Sequence, residues 1–128
     1  MMKPVRLVIA DDTKLIRRAV QHVVIDCCPG AKVVGEARNY AELFQLKNNT
    51  ISDVVLIDLN MPGEFEPDHV RVELDSCCIL VMSAWFDEST KARAQGWGAF
   101  ELLDKSSLAG NLHSAIERGL SRSKSATH

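Results

Sequence analysis

The chain has 128 residues, of which 46% are hydrophobic and 25% charged, a composition typical of one globular domain with its own core. Its formal net charge is −2, and the lack of a basic excess argues against direct binding to nucleic acid or to an anionic membrane. No segment approaches the roughly 18 apolar residues of a membrane span, and no signal-peptide pattern is visible at the start. We therefore expect a cytoplasmic protein.

Strand-like and helix-like segments alternate along the chain. Apolar runs rich in β-branched residues predict five strands, at 5–10, 32–36, 53–58, 78–83 and 98–103. Capping residues and apolar spacing predict helices after them: a first from Asp12 or Thr13 to about Cys28, a second from Asn39 to Asn49, a fourth from Asp87 or Ser89 to Gly96 and a fifth from about Ser107 to Leu120. The acidic segment between Gly63 and Cys78 is broken by Pro67 and predicts a stunted third helix. The alternation favours an α/β fold with a parallel sheet and helices on both faces.

The four cysteines form two adjacent pairs, Cys27 with Cys28 and Cys77 with Cys78. Neither pair has the spacing of a zinc ribbon or a thioredoxin motif, and adjacent cysteines are poorly placed to bond to each other. We expect four reduced, buried or half-buried thiols. A metal site made of all four is the less favoured alternative.

Five polar residues stand at the carboxyl ends of predicted strands, the edge at which sheets of this kind bind their ligands. Asp11 and Asp12 follow the first strand, Asp58 ends the third, Ser83 ends the fourth and Lys105 follows the fifth. Three neighbouring carboxylates repel one another unless a cation such as Mg²⁺ neutralises them, and a carboxylate can be the nucleophile of phosphoryl transfer. Each residue alone also has an ordinary explanation, as a helix cap, a turn residue or a surface lysine. Their joint placement favours a phosphoryl site.

These residues resemble the signature of the receiver (CheY-like) domain of bacterial two-component response regulators. The resemblance spans about residues 4–121 and rests on Asp11 with Asp12, Asp58 with Pro62 and Gly63, Ser83 with Ala84, and Lys105. The runs from Arg6 to Asp12 and from Val33 to Ala37 are most similar to receivers of LuxR/NarL-type regulators. The resemblance implies a doubly wound, flavodoxin-like sheet of order 2-1-3-4-5, a receiver domain over 1–121, and a tail or the start of a linker over 122–128.

The resemblance also implies a function and roles for the residues. Asp58 would accept a phosphoryl group from a sensor histidine kinase or a phosphotransfer protein. Asp11, Asp12, Asp58 and the backbone carbonyl of Asn60 would bind Mg²⁺, for which Mn²⁺ could substitute, and Ser83 with Lys105 would form the phosphoryl-binding switch pair. The chain would be a regulatory domain rather than an enzyme, limited to its own phosphorylation and dephosphorylation. A homodimer through the fourth helix, fifth strand and fifth helix is an open alternative, and any DNA-binding output domain would lie outside this chain.

Three features depart from the family pattern. Leu102 stands three residues before the lysine, where the family often has a Tyr or Phe that moves inward on activation, and Phe100, expected on the same strand face, is a doubtful substitute. The third helical segment is short, and Ser106 replaces the common proline after the lysine, so a cis peptide is not expected there.

Two tryptophans, Trp85 and Trp97, flank the predicted fourth helix. Packing at a sheet edge is the favoured explanation for both, and a partner surface is the alternative. Trp85 lies two residues past Ser83, where its bulk could restrict the access of water to a phosphoryl group.

Two other functions remain open. A pseudo-receiver would bind partners without phosphotransfer, which Leu102 and the third segment weakly favour. A Mg²⁺-dependent phosphohydrolase with an aspartyl nucleophile would need an Asp-x-Asp pattern after the first strand, whereas Asp11 and Asp12 are adjacent.

Overall fold

A computed structural model describes residues 4–61, 70–71, 73–74 and 76–126. Within these ranges strands and helices alternate as the sequence predicts. The strands are β1 (Val5–Ala10), β2 (Ala31–Ala37), β3 (Val54–Asp58), β4 (Cys78–Ser83) and β5 (Glu101–Asp104). The helices are α1 (Lys14–Cys27), α2 (Tyr40–Asn49), α3 (Glu88–Gly96) and α4 (Leu108–Ala126), with a single 3-10 turn at Lys105–Ser107. The predicted third helix falls mostly outside the described residues. The described residues 70, 71 and 73 of that segment are helical.

All five strands are parallel and lie in the order β2-β1-β3-β4-β5. The predicted doubly wound, flavodoxin-like sheet is therefore confirmed. β3 is buried at every position, which is why its sequence is apolar without alternation. Because the strands are parallel, their carboxyl ends all meet at one edge of the sheet.

Helices cover both faces of the sheet and enclose two apolar clusters. On one face α2 contributes Tyr40 and Leu43, and α3 contributes Ala94, with Trp97 directly after it. On the other face α1 and α4 contribute Val20, Val24, Leu112 and Ile116. Alternate residues of the strands point into the two clusters, as in any pleated sheet.

The capping predictions are resolved in the structure. The side chain of Asn39 accepts a hydrogen bond from Glu42 N at the start of α2. Asp87 caps α3 by accepting from Thr90 N. Thr13 is the residue before α1, but its side chain makes no capping bond.

Three predictions about the carboxyl-terminal part of the chain need correction. β5 begins at Glu101 rather than at residue 98, because Gly98 has a positive φ of 77°, a turn conformation that favours glycine. Phe100 does not share the face of Leu102: it packs in the cluster of α1 and α4, whereas Leu102 packs in the other cluster. The last helix continues to Ala126, past the predicted end at Leu120. The division into a receiver domain over 1–121 and a tail or linker over 122–128 stays a prediction.

All four cysteines are free, with Cys28 buried and the other three half-buried, as predicted. Among the described residues, the metal-binding side chains that come together in a group of three or more are carboxylates and not thiols. The alternative of a four-thiol metal site is therefore wrong. In the part of the chain that the structure describes, no helix has the length and apolar character needed to cross a bilayer.

Candidate functional site

The five predicted site residues come together at the edge where the strands end. Asp11 and Asp12 directly follow β1, Asp58 is the last residue of β3 and Ser83 the last of β4. Lys105 opens the 3-10 turn after β5. The parallel sheet thus brings residues from four different strand ends into one site.

The three aspartates form a compact acidic group. One carboxylate oxygen from each of Asp11, Asp12 and Asp58 lies within 4.8 Å of the others. Asp11 is fully buried, Asp58 is 4% exposed, and Asp12 faces solvent. Asp11 Oδ1 accepts a hydrogen bond of 2.9 Å from Thr13 N, which fixes the carboxylate at the start of α1. The group therefore combines two buried carboxylates with one that remains accessible.

Lys105 provides the positive charge at the centre of this group. Its Nζ lies 3.0 Å from Asp11 Oδ2 and 3.3 Å from Asp58 Oδ2. Burial alone would lower the pKa of the ammonium group, but the two carboxylates raise the pKa overall. Lys105 is therefore charged and joins the ends of β1 and β3.

Asp58 has a different partner on each oxygen. Oδ2 faces Lys105, and Oδ1 accepts a hydrogen bond of 3.1 Å from Asn60 N. Burial raises the pKa of the Asp58 carboxyl and the charge of Asp11 adds to this, while the Asn60 amide and Lys105 oppose it only in part. A carboxylate oxygen has more than one lone pair, so these contacts leave Asp58 able to form a bond to an electrophile.

The Ser83 hydroxyl lies fully buried at the end of β4. Its Oγ accepts a hydrogen bond of 3.0 Å from Trp85 N, which leaves the hydroxyl proton available for donation. The Trp85 side chain itself is 69% exposed, so the packing explanation is wrong for Trp85. It is right for Trp97, which is 7% exposed.

An aromatic pair that the sequence analysis missed lies beside the site. Tyr40 follows β2, and its ring meets that of Trp97 edge to face, with the centroids 5.8 Å apart. Burial and the nearby charge of Asp58 raise the pKa of the Tyr40 hydroxyl well above its ordinary value. Leu102 packs against the same cluster with an entirely apolar side chain. Extending the strand-end rule to β2 would have found Tyr40.

A buried arginine that the sequence analysis also missed contacts the backbone of Asp11. Arg17 is 7% exposed, and its Nη1 donates to the backbone carbonyl of Asp11 at 2.8 Å. Its Nε donates to Glu36 Oε1 at 3.1 Å. The sequence held a signal, because Arg17 shares a helical stripe with Val20 and Val24, which face the core.

A second missed arginine reaches the loop after β3. Arg93 lies on α3. Its Nη1 donates to Asn60 Oδ1 at 3.4 Å, and its Nη2 donates to the carbonyl oxygen of Leu59, also at 3.4 Å. The polar sequence of α3 has no periodicity that would have indicated this contact.

Comparison with known proteins agrees with this architecture. The family model of the response regulator receiver domain matches residues 7–117. The glycerol metabolism activator of Pseudomonas putida is 31% identical over 116 residues, which are 88% of this chain and 52% of that protein. The nitrate/nitrite response regulator NarP of Escherichia coli is 42% identical over 60 residues, 47% of this chain and 27% of NarP. The chain thus spans about half, or less, of the length of these curated relatives.

Solved structures give the same result. A LuxR-family two-component response regulator from Aurantimonas sp. SI85-9A1 has a TM-score of 0.81 and 29% identity, covering 93% of this chain and 86% of that one. The receiver domain of NarL from Mycobacterium tuberculosis has a TM-score of 0.79 and 26% identity, covering 91% of this chain and 96% of that one. The resemblance inferred from the sequence is confirmed, and the chain belongs to the response regulator receiver domain family.

Proposed function

We propose that the chain is a phosphorylation-activated switch that accepts a phosphoryl group on Asp58 from the phosphohistidine of a sensor kinase or phosphotransfer protein. The observation that carries this proposal is the surroundings of Asp58: an accessible carboxylate, Asp12, beside it and a lysine 3.3 Å from its Oδ2. In phosphoryl transfer the protein mainly positions the group and neutralises its charge, and this site has the charges to do so.

The proposed step balances with the groups at hand. The phosphohistidine reacts with its other ring nitrogen protonated. An oxygen of Asp58 forms the new bond to phosphorus as the phosphorus–nitrogen bond breaks, and the bonding electron pair stays on that nitrogen, so a neutral imidazole leaves. Lys105 then pairs with one phosphoryl oxygen. Ser83 donates its hydroxyl proton to another, because its oxygen already accepts from Trp85 N.

The acidic group fits Mg²⁺. Carboxylate oxygens are the ligands that this ion takes in proteins. Asp11, Asp12 and Asp58 each bring one such oxygen within 4.8 Å of the other two, and a divalent cation would offset the repulsion between the three carboxylates. We propose that they bind Mg²⁺, or Mn²⁺ in its place, together with the backbone carbonyl of Asn60. When bound, the ion supplies positive charge to the acceptor carboxylate and to the phosphoryl oxygens.

Partners follow from the same proposal. The kinase or phosphotransfer protein would present its phosphohistidine at the open side of the site, where Asp12 is exposed. A homodimer through the face of α3, β5 and α4 is a further proposal, supported by the exposed aromatic side chains of Trp85 and Phe86 beside α3.

A direct test is phosphorylation with a small donor. The protein is incubated with acetyl phosphate and Mg²⁺, and its intact mass is measured, with Asp58→Asn as the variant and Asp26→Asn, an exposed aspartate of α1, as the matched control. We expect one added phosphate on the wild type and on the control, none on Asp58→Asn, and none when a chelator replaces Mg²⁺. Absence of labelling with no Mg²⁺ binding would favour the pseudo-receiver, and repeated turnover of phosphoesters would favour the phosphohydrolase. Either result would overturn the proposal.

A further inference from the structure

The helix α3 follows the switch hydroxyl of Ser83 and presents only small buried side chains to the sheet. Within Glu88–Gly96 its buried side chains are the small residues Thr90 and Ala94, so the helix itself buries little apolar surface against the sheet. Stronger anchors lie at its end, where Trp97 is buried and Arg71 donates to the Gly96 carbonyl at 2.7 Å. Helices with few buried apolar contacts open and shift at low energetic cost. The position of α3 therefore depends on the buried Trp97 at its end and on the polar contacts that tie the helix to the rest of the domain.

Arg93 makes such a contact, and it does so at the acceptor loop. Its guanidinium reaches two acceptors 33 and 34 residues away in the sequence, Asn60 Oδ1 and the Leu59 carbonyl oxygen, each at 3.4 Å. Asn60 in turn donates its backbone N–H to Asp58 Oδ1 at 3.1 Å. A chain of hydrogen bonds thus runs from the acceptor carboxylate through the Asn60 segment to α3.

The two acceptors of Arg93 are uncharged, so a negative charge added nearby would compete with them for the guanidinium. A phosphoryl group on Asp58 adds about 1.5 to 2 negative charges, and contacts of arginine with phosphate groups, which are often bidentate, are among the strong hydrogen bonds of proteins. A phosphoryl group on Asp58 would therefore compete with the Leu59 carbonyl and the Asn60 side-chain oxygen for the guanidinium. Because α3 itself buries only small side chains, a movement of Arg93 would shift the helix.

We propose that Arg93 is the positioning residue that couples the loading of Asp58 to a shift of α3. The coupling rests on the proposed function, since it requires Asp58 to carry the phosphoryl group. The family often has a Tyr or Phe at the position of Leu102 that moves on activation. Leu102 is apolar and half-buried and cannot form a hydrogen bond to the site, so another residue has to couple a change at Asp58 to the helices.

The test separates binding at Asp58 from the response of α3. Beryllofluoride with Mg²⁺ serves as the phosphoryl mimic, its binding is followed by fluorine NMR, and the response is followed by amide hydrogen exchange of α3. The variant is Arg93→Gln, and the matched control is Lys91→Gln, which removes a charge from the same helix at a residue paired with Glu88 of α3 itself. Arg93 is exposed, so its replacement leaves no cavity. Arg93→Lys is a second variant that keeps the positive charge but lacks the two guanidinium nitrogens that contact Asn60 and Leu59 at the same time.

We expect α3 of free Arg93→Gln to exchange about three- to tenfold faster than in the wild type, the loss of roughly one hydrogen bond's worth of stability. We expect beryllofluoride to bind the wild type and all three variants. It should change the amide exchange rate of α3 in the wild type and in Lys91→Gln. The change in Arg93→Gln should be less than half as large, and that in Arg93→Lys should be intermediate. An equal response of α3 in Arg93→Gln and in the wild type would overturn the coupling, as would a wild-type α3 that binds the mimic and does not respond. Failure of the wild type to bind beryllofluoride would instead refute the proposed function of Asp58.

Discussion

Replacing Lys105 with methionine tests whether the buried carboxylates depend on its charge. Methionine keeps the length of the apolar stem and removes the ammonium group, which lies 3.0 Å from Asp11 and 3.3 Å from Asp58. Asp11, whose side chain is 0% exposed, and Asp58, whose side chain is 6% exposed, would then face each other without a cation. We expect the variant to be less stable than the wild type in the absence of divalent metal.

The magnitude follows from these distances. At an effective dielectric constant of about 20, each of the two ion pairs contributes about 5 kcal/mol of Coulomb energy. Repulsion between the two carboxylates and the desolvation of all three groups offset much of that sum. Removing one partner of a buried pair costs about 3–5 kcal/mol, and the lower end applies because the Lys105 side chain is 23% exposed. We therefore expect the free energy of unfolding to fall by about 3 kcal/mol.

The assay is urea denaturation in EDTA and again in saturating Mg²⁺, with Lys91→Met as the control, because the Lys91 side chain is half-exposed and its ion pair is with Glu88 of its own helix. The loss in Lys105→Met should shrink to about 1 kcal/mol when the metal supplies the missing charge, and the control should change by less than about 0.5 kcal/mol in both buffers. A loss below about 1 kcal/mol in EDTA, or an equal loss with and without Mg²⁺, would refute the reasoning.

Three further changes give separate tests. Trp85→Ala should shorten the lifetime of phosphorylated Asp58 by about threefold, if the side chain restricts access of water, and an unchanged lifetime measured by loss of label would reject the idea. Gly119→Ala should lower the thermal midpoint by the equivalent of about 1–3 kcal/mol, because the new methyl group would collide with the sulfur of Cys78. The control Gly110→Ala places its methyl group in open space and should leave the midpoint equal or higher. Burial raises the pKa of the Asp53 carboxyl, but its hydrogen bonds from an arginine of β1 lower it overall, so the wild type should be more stable than Asp53→Asn at pH 7. That advantage should disappear as the pH falls below about 4, and an advantage that persists in acid would contradict the assignment.

Much of the fold could be predicted because its signals are local. β1 and β4 begin and end where the apolar runs predict, and the caps at Asn39 and Asp87 lie where polar residues precede helical segments. The strand-end rule also brought the five site residues to one edge. β5 was misplaced because the apolar run before it includes Gly98, whose backbone forms a turn.

The missed residues depend on long-range geometry. Arg93 reaches a loop that is 33 residues away in the sequence, and no periodic pattern encodes where the end of a long flexible side chain lies. The usual burial of tryptophan predicts packing for Trp85. The residue lies on the turn that leaves β4, and the direction of such a turn is set by the three-dimensional structure. Arg17 is a cation on the buried stripe of α1, and a pattern of apolar residues alone does not indicate a buried charged side chain.

The ion pair between Lys105 and Asp11 joins two residues that are 94 positions apart. Contacts with so large a sequence separation close late, because the entropy of loop closure must be overcome before they form. The neutralised acidic site is therefore completed only when the first and last strands have both joined the sheet. A chain that is partly folded, or still emerging from the ribosome without β5, carries the aspartates without their lysine, so the ability to accept a phosphoryl group would arise together with the complete fold.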